Sequence, residues 1–200
     1  MTATTKDLEA LLGSRICHDL ISPLGAIANG LELLGMTELR HSPEYALIAQ
    51  SVAHANARVR FFRVAFGVAG HEQQIGAPEI RDLLEGLAAD GRLAYRWLPE
   101  EPLARPQVKL AFLLLQCLET ALPWGGEIVI EGDGQTLTLG ARAARIRALD
   151  GLWDHFDTPG VPPEVEASLV HFPLAARAAA ELGRPVRRDE TPEGAPSLSF

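Results

Sequence analysis

The chain has 200 residues, of which 47% are hydrophobic and 22% charged, enough for one packed domain or two small ones and too apolar for a disordered chain. Its net charge of −8 argues against nucleic acid or an anionic membrane as the main partner, because counterion release needs clustered Lys and Arg. The charge is uneven: residues 1–70 carry six basic and six acidic side chains, and the remainder twelve basic against twenty acidic.

From Leu8 to Leu34 the residues Leu12, Ile16, Leu20, Leu24, Ile27, Leu31 and Leu34 step by fours and threes, which predicts one long amphipathic helix. Pro23 removes a backbone bond and crowds the preceding turn, so a bend just after His18 is expected rather than an end. Gly35 offers a C-cap, and Ser42-Pro43-Glu44 reads as the N-cap, first residue and acidic first turn of a second helix. There Ile48, Val52, Ala55, Val59, Phe62 and Phe66 repeat with a period near 3.5, suited to a bundle seam. Two such helices joined by a short connection form an antiparallel hairpin whose stripes exceed what one hairpin covers, and a dimeric four-helix bundle is the simplest solution.

After Gly67, Gly70 and Gly76 the texture changes to shorter elements, which places a boundary between about residues 70 and 77 and two domains at 1–72 and 73–200. In the second, a helix is expected over residues 78–89, a strand over 93–98 and a very apolar helix over 106–122. A hairpin of 127–131 with 136–139 follows, turning at Gly132-Asp133-Gly134. The stretch to Pro163 reads as irregular. A helix over 172–182 ends at Gly183, and residues 185–188 with 197–200 form a last hairpin. The class is α+β: a long helical hairpin followed by an α/β sandwich.

On the first helix Arg15, His18, Ser22, Gly25 and Asn29 occupy the face opposite the leucines, so His18 faces solvent. Neutral imidazole is a competent nucleophile at phosphorus, and phosphoryl transfer otherwise asks for positioning and charge compensation. Arg60 and Arg63 should stand at the height of His18 across the hairpin. Arg63 either pairs with Asp19 or neutralises phosphate charge. Ser22 either meets a phosphoryl oxygen or satisfies a carbonyl freed by Pro23. His41, His54, His71, His155 and His171 show no ligand spacing, and no metal site is expected. Cys17 and Cys117 fit reduced thiols, Cys17 as a packing residue. The absence of a signal segment or of an apolar run near 18 residues places the chain in the cytoplasm.

His18-Asp19-Leu20 followed by Ser22-Pro23-Leu24 resembles the phosphoacceptor box of sensor histidine kinases. The whole string from Arg15 to Leu34, with Phe62-Arg63-Val64-Ala65-Phe66-Gly67, is similar to the ChpT family of bacterial histidine phosphotransferases. The resemblance implies that His18 carries a phosphoryl group between receiver-domain aspartates and that Asp19 orients the ring or accepts its proton. It also implies that Arg15, Ser22, Arg60 and Arg63 serve the phosphoryl group or the receiver. The implied partners are receivers of a hybrid kinase and of response regulators, which supply Mg²⁺, and a second copy of the chain. Beyond residue 78 the element order resembles the kinase ATP-binding domain, but Thr120 offers no amide oxygen for the metal, Gly140 no carboxylate for adenine, and His171-Phe172-Pro173 no glycines. No ATP binding is expected. An autonomous histidine kinase and a docking module with an inert His18 remain the alternatives.

Overall fold

The structure is a computed structural model, and it describes residues 5–70, 72–149, 151–157, 165–190 and 196–200. His71 and part of the stretch expected to be irregular, 158–163, lie outside those residues. The chain divides into two compact units, Met1–Val68 with Asp82–Asp90, and Ala69–Arg81 with Gly91–Phe200.

In the first unit, α1 (Thr5–Gly35) runs unbroken through Pro23. A short 3₁₀ turn at Glu38–His41 leads to α2 (Pro43–Ala65). Ser42 caps α2 as its sequence context predicts, its hydroxyl oxygen accepting from the Tyr45 N–H at 3.1 Å, with Pro43 and Glu44 in the first turn. The two helices are antiparallel. The Tyr45 hydroxyl donates to the Leu31 carbonyl at 3.0 Å near the turn, and the Val68 N–H donates to the Ser14 hydroxyl at 3.1 Å at the far end.

The expected stripe of α2 needs correction. Of Ile48, Val52, Ala55, Val59, Phe62 and Phe66 only Val59 is buried, whereas Ala57, Phe61, Val64 and Ala65 are buried as well. Ala57, Phe61 and Val64 share a second face, and it meets the 82–90 segment. A Cβ placed on Gly86 would lie 2.8 Å from the Ala57 Cβ, so only glycine allows this approach, and Arg60 pairs with Asp82 at 2.9 Å. On α1, by contrast, Leu12, Ile16, Leu20, Ile27 and Leu34 stay 44–60% exposed within one chain.

The remaining elements are β1 (Gln74–Ile75), α3 (Ala77–Leu87), β2 (Leu93–Trp97), β3 (Leu103–Ala104), α4 (Arg105–Ala121), β4 (Gly126–Gly132), β5 (Leu137–Arg142), α5 (Asp154–Asp157), α6 (His171–Leu182), β6 (Arg187–Glu190) and β7 (Pro196–Ser199). β2 pairs in parallel with β4, and the other neighbours are antiparallel, giving a mixed sheet of order β2-β4-β5-β7-β6. A separate ribbon joins β1 to β3. Asp133 makes the β4–β5 turn: its carboxylate accepts from the Gln135 and Thr136 N–H groups at 2.7 and 3.0 Å. Those backbone donors, Thr136 first, hold its carboxyl below the usual range.

Helix α4 packs on α6 and on β5. Its Leu110, Leu113, Leu114, Leu115 and Leu118 are fully buried, as are Ile128, Ile130, Leu137, Leu139 and Leu198 of the sheet. This is the core of the second unit. Gly183 ends α6 in the left-handed conformation, φ 66°, and the Gly183 and Arg184 N–H groups close onto Ala180 and Ala179 carbonyls. Among the described residues no helix is long and apolar enough to cross a membrane.

Candidate active site

Helix α1 places His18 on the face turned away from the leucine stripe, with 83% of its side chain exposed. Asp19 follows it, half exposed, and Arg15 lies one turn back. The three side chains meet. Asp19 Oδ1 lies 3.2 Å from His18 Nδ1, and Asp19 Oδ2 accepts from Arg15 Nε at 2.7 Å. Both contacts favour the charged carboxylate, so the His18 hydrogen bond first and the Arg15 hydrogen bond second hold Asp19 below its usual range.

This geometry selects between the ring nitrogens. A carboxylate accepts and does not donate, so the neutral imidazole that satisfies Asp19 carries its proton on Nδ1. Nε2 then presents its lone pair to solvent, the form a nucleophile needs.

The other site residues expected from the sequence distribute differently. Ser22 is exposed one turn beyond His18. Arg60 is engaged by Asp82, not by α1. Arg63 is exposed on α2 and its charge is felt at Cys17, where it opposes the rise that burial gives the thiol. Of the two roles open to Arg63, pairing with Asp19 is taken by Arg15, an i,i+4 neighbour on the same helix that reaches the carboxylate without crossing the hairpin. The resemblance implies only a phosphoryl or receiver contact for Arg15, although its i,i+4 spacing to Asp19 also permits this ion pair. Cys17 is buried, as expected of a packing residue. Among the described residues no group of His, Cys, Asp and Glu is arranged to hold a metal.

The profile of the histidine phosphotransferase C-terminal domain family matches residues 77–194. The chain belongs to this family. The match lies on the residues that follow the helical hairpin, so His18 itself stands outside it. The protein phosphotransferase ChpT of Brucella abortus (strain 2308) is 38% identical over 139 residues, which are 67% of this chain and 65% of that protein. A solved bacterial phosphotransferase superimposes over the whole of this chain and 98% of its own, with a TM-score of 0.67 and 29% identity.

Within the phosphotransferase domain, Thr120 and His171 are tied to one another. The Thr120 hydroxyl donates to the Gln116 carbonyl at 2.9 Å, so its oxygen can only accept from His171 Nε2, 3.1 Å away. His171 is buried, and burial lowers its pKa to about 4. Phe172 beside it is fully buried, packed edge-on against Trp153 with ring centroids 5.3 Å apart. Nothing in the spacing of His171 along the chain announces its contact with Thr120.

Proposed function

We propose that the chain is a histidine phosphotransferase of a multistep phosphorelay, in which His18 takes a phosphoryl group from one receiver-domain aspartate and gives it to another. The observation that carries the reading is the exposed His18 whose Nδ1 is held by Asp19, leaving Nε2 as the outward nucleophile. Nε2 attacks phosphorus, the bond from phosphorus to the receiver carboxylate oxygen breaks, and that carboxylate leaves with the electron pair. The proton stays on Nδ1, where ionised Asp19 offsets the positive charge that forms on the ring. Transfer onward runs the same steps in reverse. Ser22, one turn beyond His18, and Arg63, whose charge is felt at Cys17, are both exposed and serve the phosphoryl group or the receiver. Arg60, paired with Asp82, is the weakest member of that set.

The receivers supply Mg²⁺. This chain is expected not to bind ATP, because Thr120 spends its hydroxyl on Gln116 and His171, and Phe172 fills the space beside them with a packed ring. Two chains pair through the leucine face of α1 in a four-helix bundle, a reading supported by the row of half-exposed apolar side chains from Leu12 to Leu34. The expected partners are receivers of a hybrid kinase and of response regulators, in the cytoplasm.

Incubation with a phosphorylated receiver tests the reading. An acid-labile, base-stable phosphate mapped to His18 is the expected result. A chain that stays unlabelled with every receiver encoded beside it refutes it.

A further inference from the structure

We propose that Arg15 is a positioning residue for phosphotransfer: it holds Asp19 so that the carboxylate fixes the proton on His18 Nδ1 and turns Nε2 outward. The inference rests on the phosphotransfer reading of His18 given above.

The argument begins with helix geometry. Sequence neighbours on a helix diverge by about 100°, so His18 and Asp19 do not face each other of their own accord. Arg15, three residues before His18 and four before Asp19, projects between them, about 60° from the first and about 40° from the second. A guanidinium there draws the Asp19 carboxylate back toward His18. The distances agree: Arg15 Nε takes Oδ2 at 2.7 Å, and Oδ1 is left for the ring at 3.2 Å.

Both oxygens matter. A carboxylate held through one oxygen still turns about its last torsion, which is broad and two-fold. Held through Oδ2, it presents Oδ1 to the imidazole in one orientation and fixes the tautomer. Arg15 also adds to the lowering of the Asp19 pKa, after the His18 hydrogen bond, in the direction that favours the accepting carboxylate. The guanidinium reaches Asp19 through Nε, and its Nη groups take no part in that bond, so the double variant Arg15→Ala/Asp19→Asn is what separates positioning from direct contact with the phosphoryl group.

The pair is exposed, with 74% of the Arg15 side chain open to solvent, so its effect is modest: Arg15→Ala should slow transfer about two- to fivefold. The experiment uses the full chain and single-turnover transfer from a phosphorylated receiver, with Arg15→Ala, Arg15→Lys, Asp19→Asn and the double variant Arg15→Ala/Asp19→Asn. Nitrogen-15 spectra of His18 in the same proteins report the tautomer directly. Arg15→Ala should lower the fraction of Nδ1–H ring and slow transfer, Arg15→Lys should recover part of both, and the double variant should be no slower than Asp19→Asn alone. Equal slowing by Arg15→Ala in both backgrounds would mean that Arg15 touches the phosphoryl group itself, and would overturn the proposal. So would an unchanged tautomer. The spectra need no receiver, so a wild-type chain that accepts no phosphoryl group refutes the phosphotransfer reading while the spectra still decide the role of Arg15.

Discussion

Acidification from pH 7 to pH 5 should cost the second unit about 2 kcal/mol through His171 alone. With the Thr120 hydrogen committed to Gln116, His171 is neutral with its proton on Nε2. A second proton would create a cation on a residue only 6% exposed. Burial accordingly lowers its pKa from 6.5 to about 4. The unfolded chain takes the proton near 6.5 and the folded one only near 4, so between these values the unfolded state holds more protons and stability falls as the pH falls. A gap of about 2.5 pH units, at about 1.4 kcal/mol each, bounds the loss at about 3.4 kcal/mol, of which about 2 kcal/mol falls between pH 7 and pH 5. Urea unfolding followed by tryptophan fluorescence, with Trp153 packed on Phe172, measures it in wild type and in His171→Gln, whose amide still donates to Thr120 but does not titrate. All other titrating groups cancel in the difference. The wild type should lose about 2 kcal/mol more than the variant over this range, and parallel curves would refute the buried neutral histidine.

In the proposed dimer, Ile27→Asp should give a folded monomer in ultracentrifugation, because Ile27 is 49% exposed in one chain and pairing would bury the added charge. Val59→Asp is the poorer test: Val59 is buried within the chain, so its loss should unfold the hairpin as well. Gly86→Val should destabilise by about 1–3 kcal/mol in thermal or urea melts through overpacking against Ala57, and Ala57→Gly should recover part of the loss. Calorimetry with Mg²⁺ and ATP should show no tight site; a tight one would favour the autonomous kinase.

The long helices were legible because their leucine spacing and the Ser42-Pro43 cap act locally, and the same holds for the hairpin turned by Asp133 and the α6 stop at Gly183. The two-residue strands β1 and β3 carry no pattern, and their pairing depends on a contact between positions 74 and 104. The second face of α2 was hidden for another reason. Ala57, Phe61 and Val64 repeat as regularly as the expected stripe, and only the arrival of Gly86 decides which face is covered. At the site, the face of His18 and its neighbour Asp19 followed from helical angles. Height across the hairpin puts Arg60 and Arg63 level with His18 and leaves Arg63 either to Asp19 or to phosphate; Asp19 is taken instead by Arg15, along one helix. Residue spacing gives no signal for the hydrogen bond between Thr120 and His171, 51 residues apart.

The central claim is that the phosphoryl group rides on His18, and one measurement tests it most directly. A receiver carrying labelled phosphate is mixed with the wild-type chain and with His18→Gln, and the label is followed on both proteins. His18 is 83% exposed, so the variant should keep its stability to within about 0.5 kcal/mol and still bind the receiver. Label should pass to the wild type and onward to a second receiver, and none should reach the variant. Labelling of His18→Gln at the wild-type rate would contradict the account.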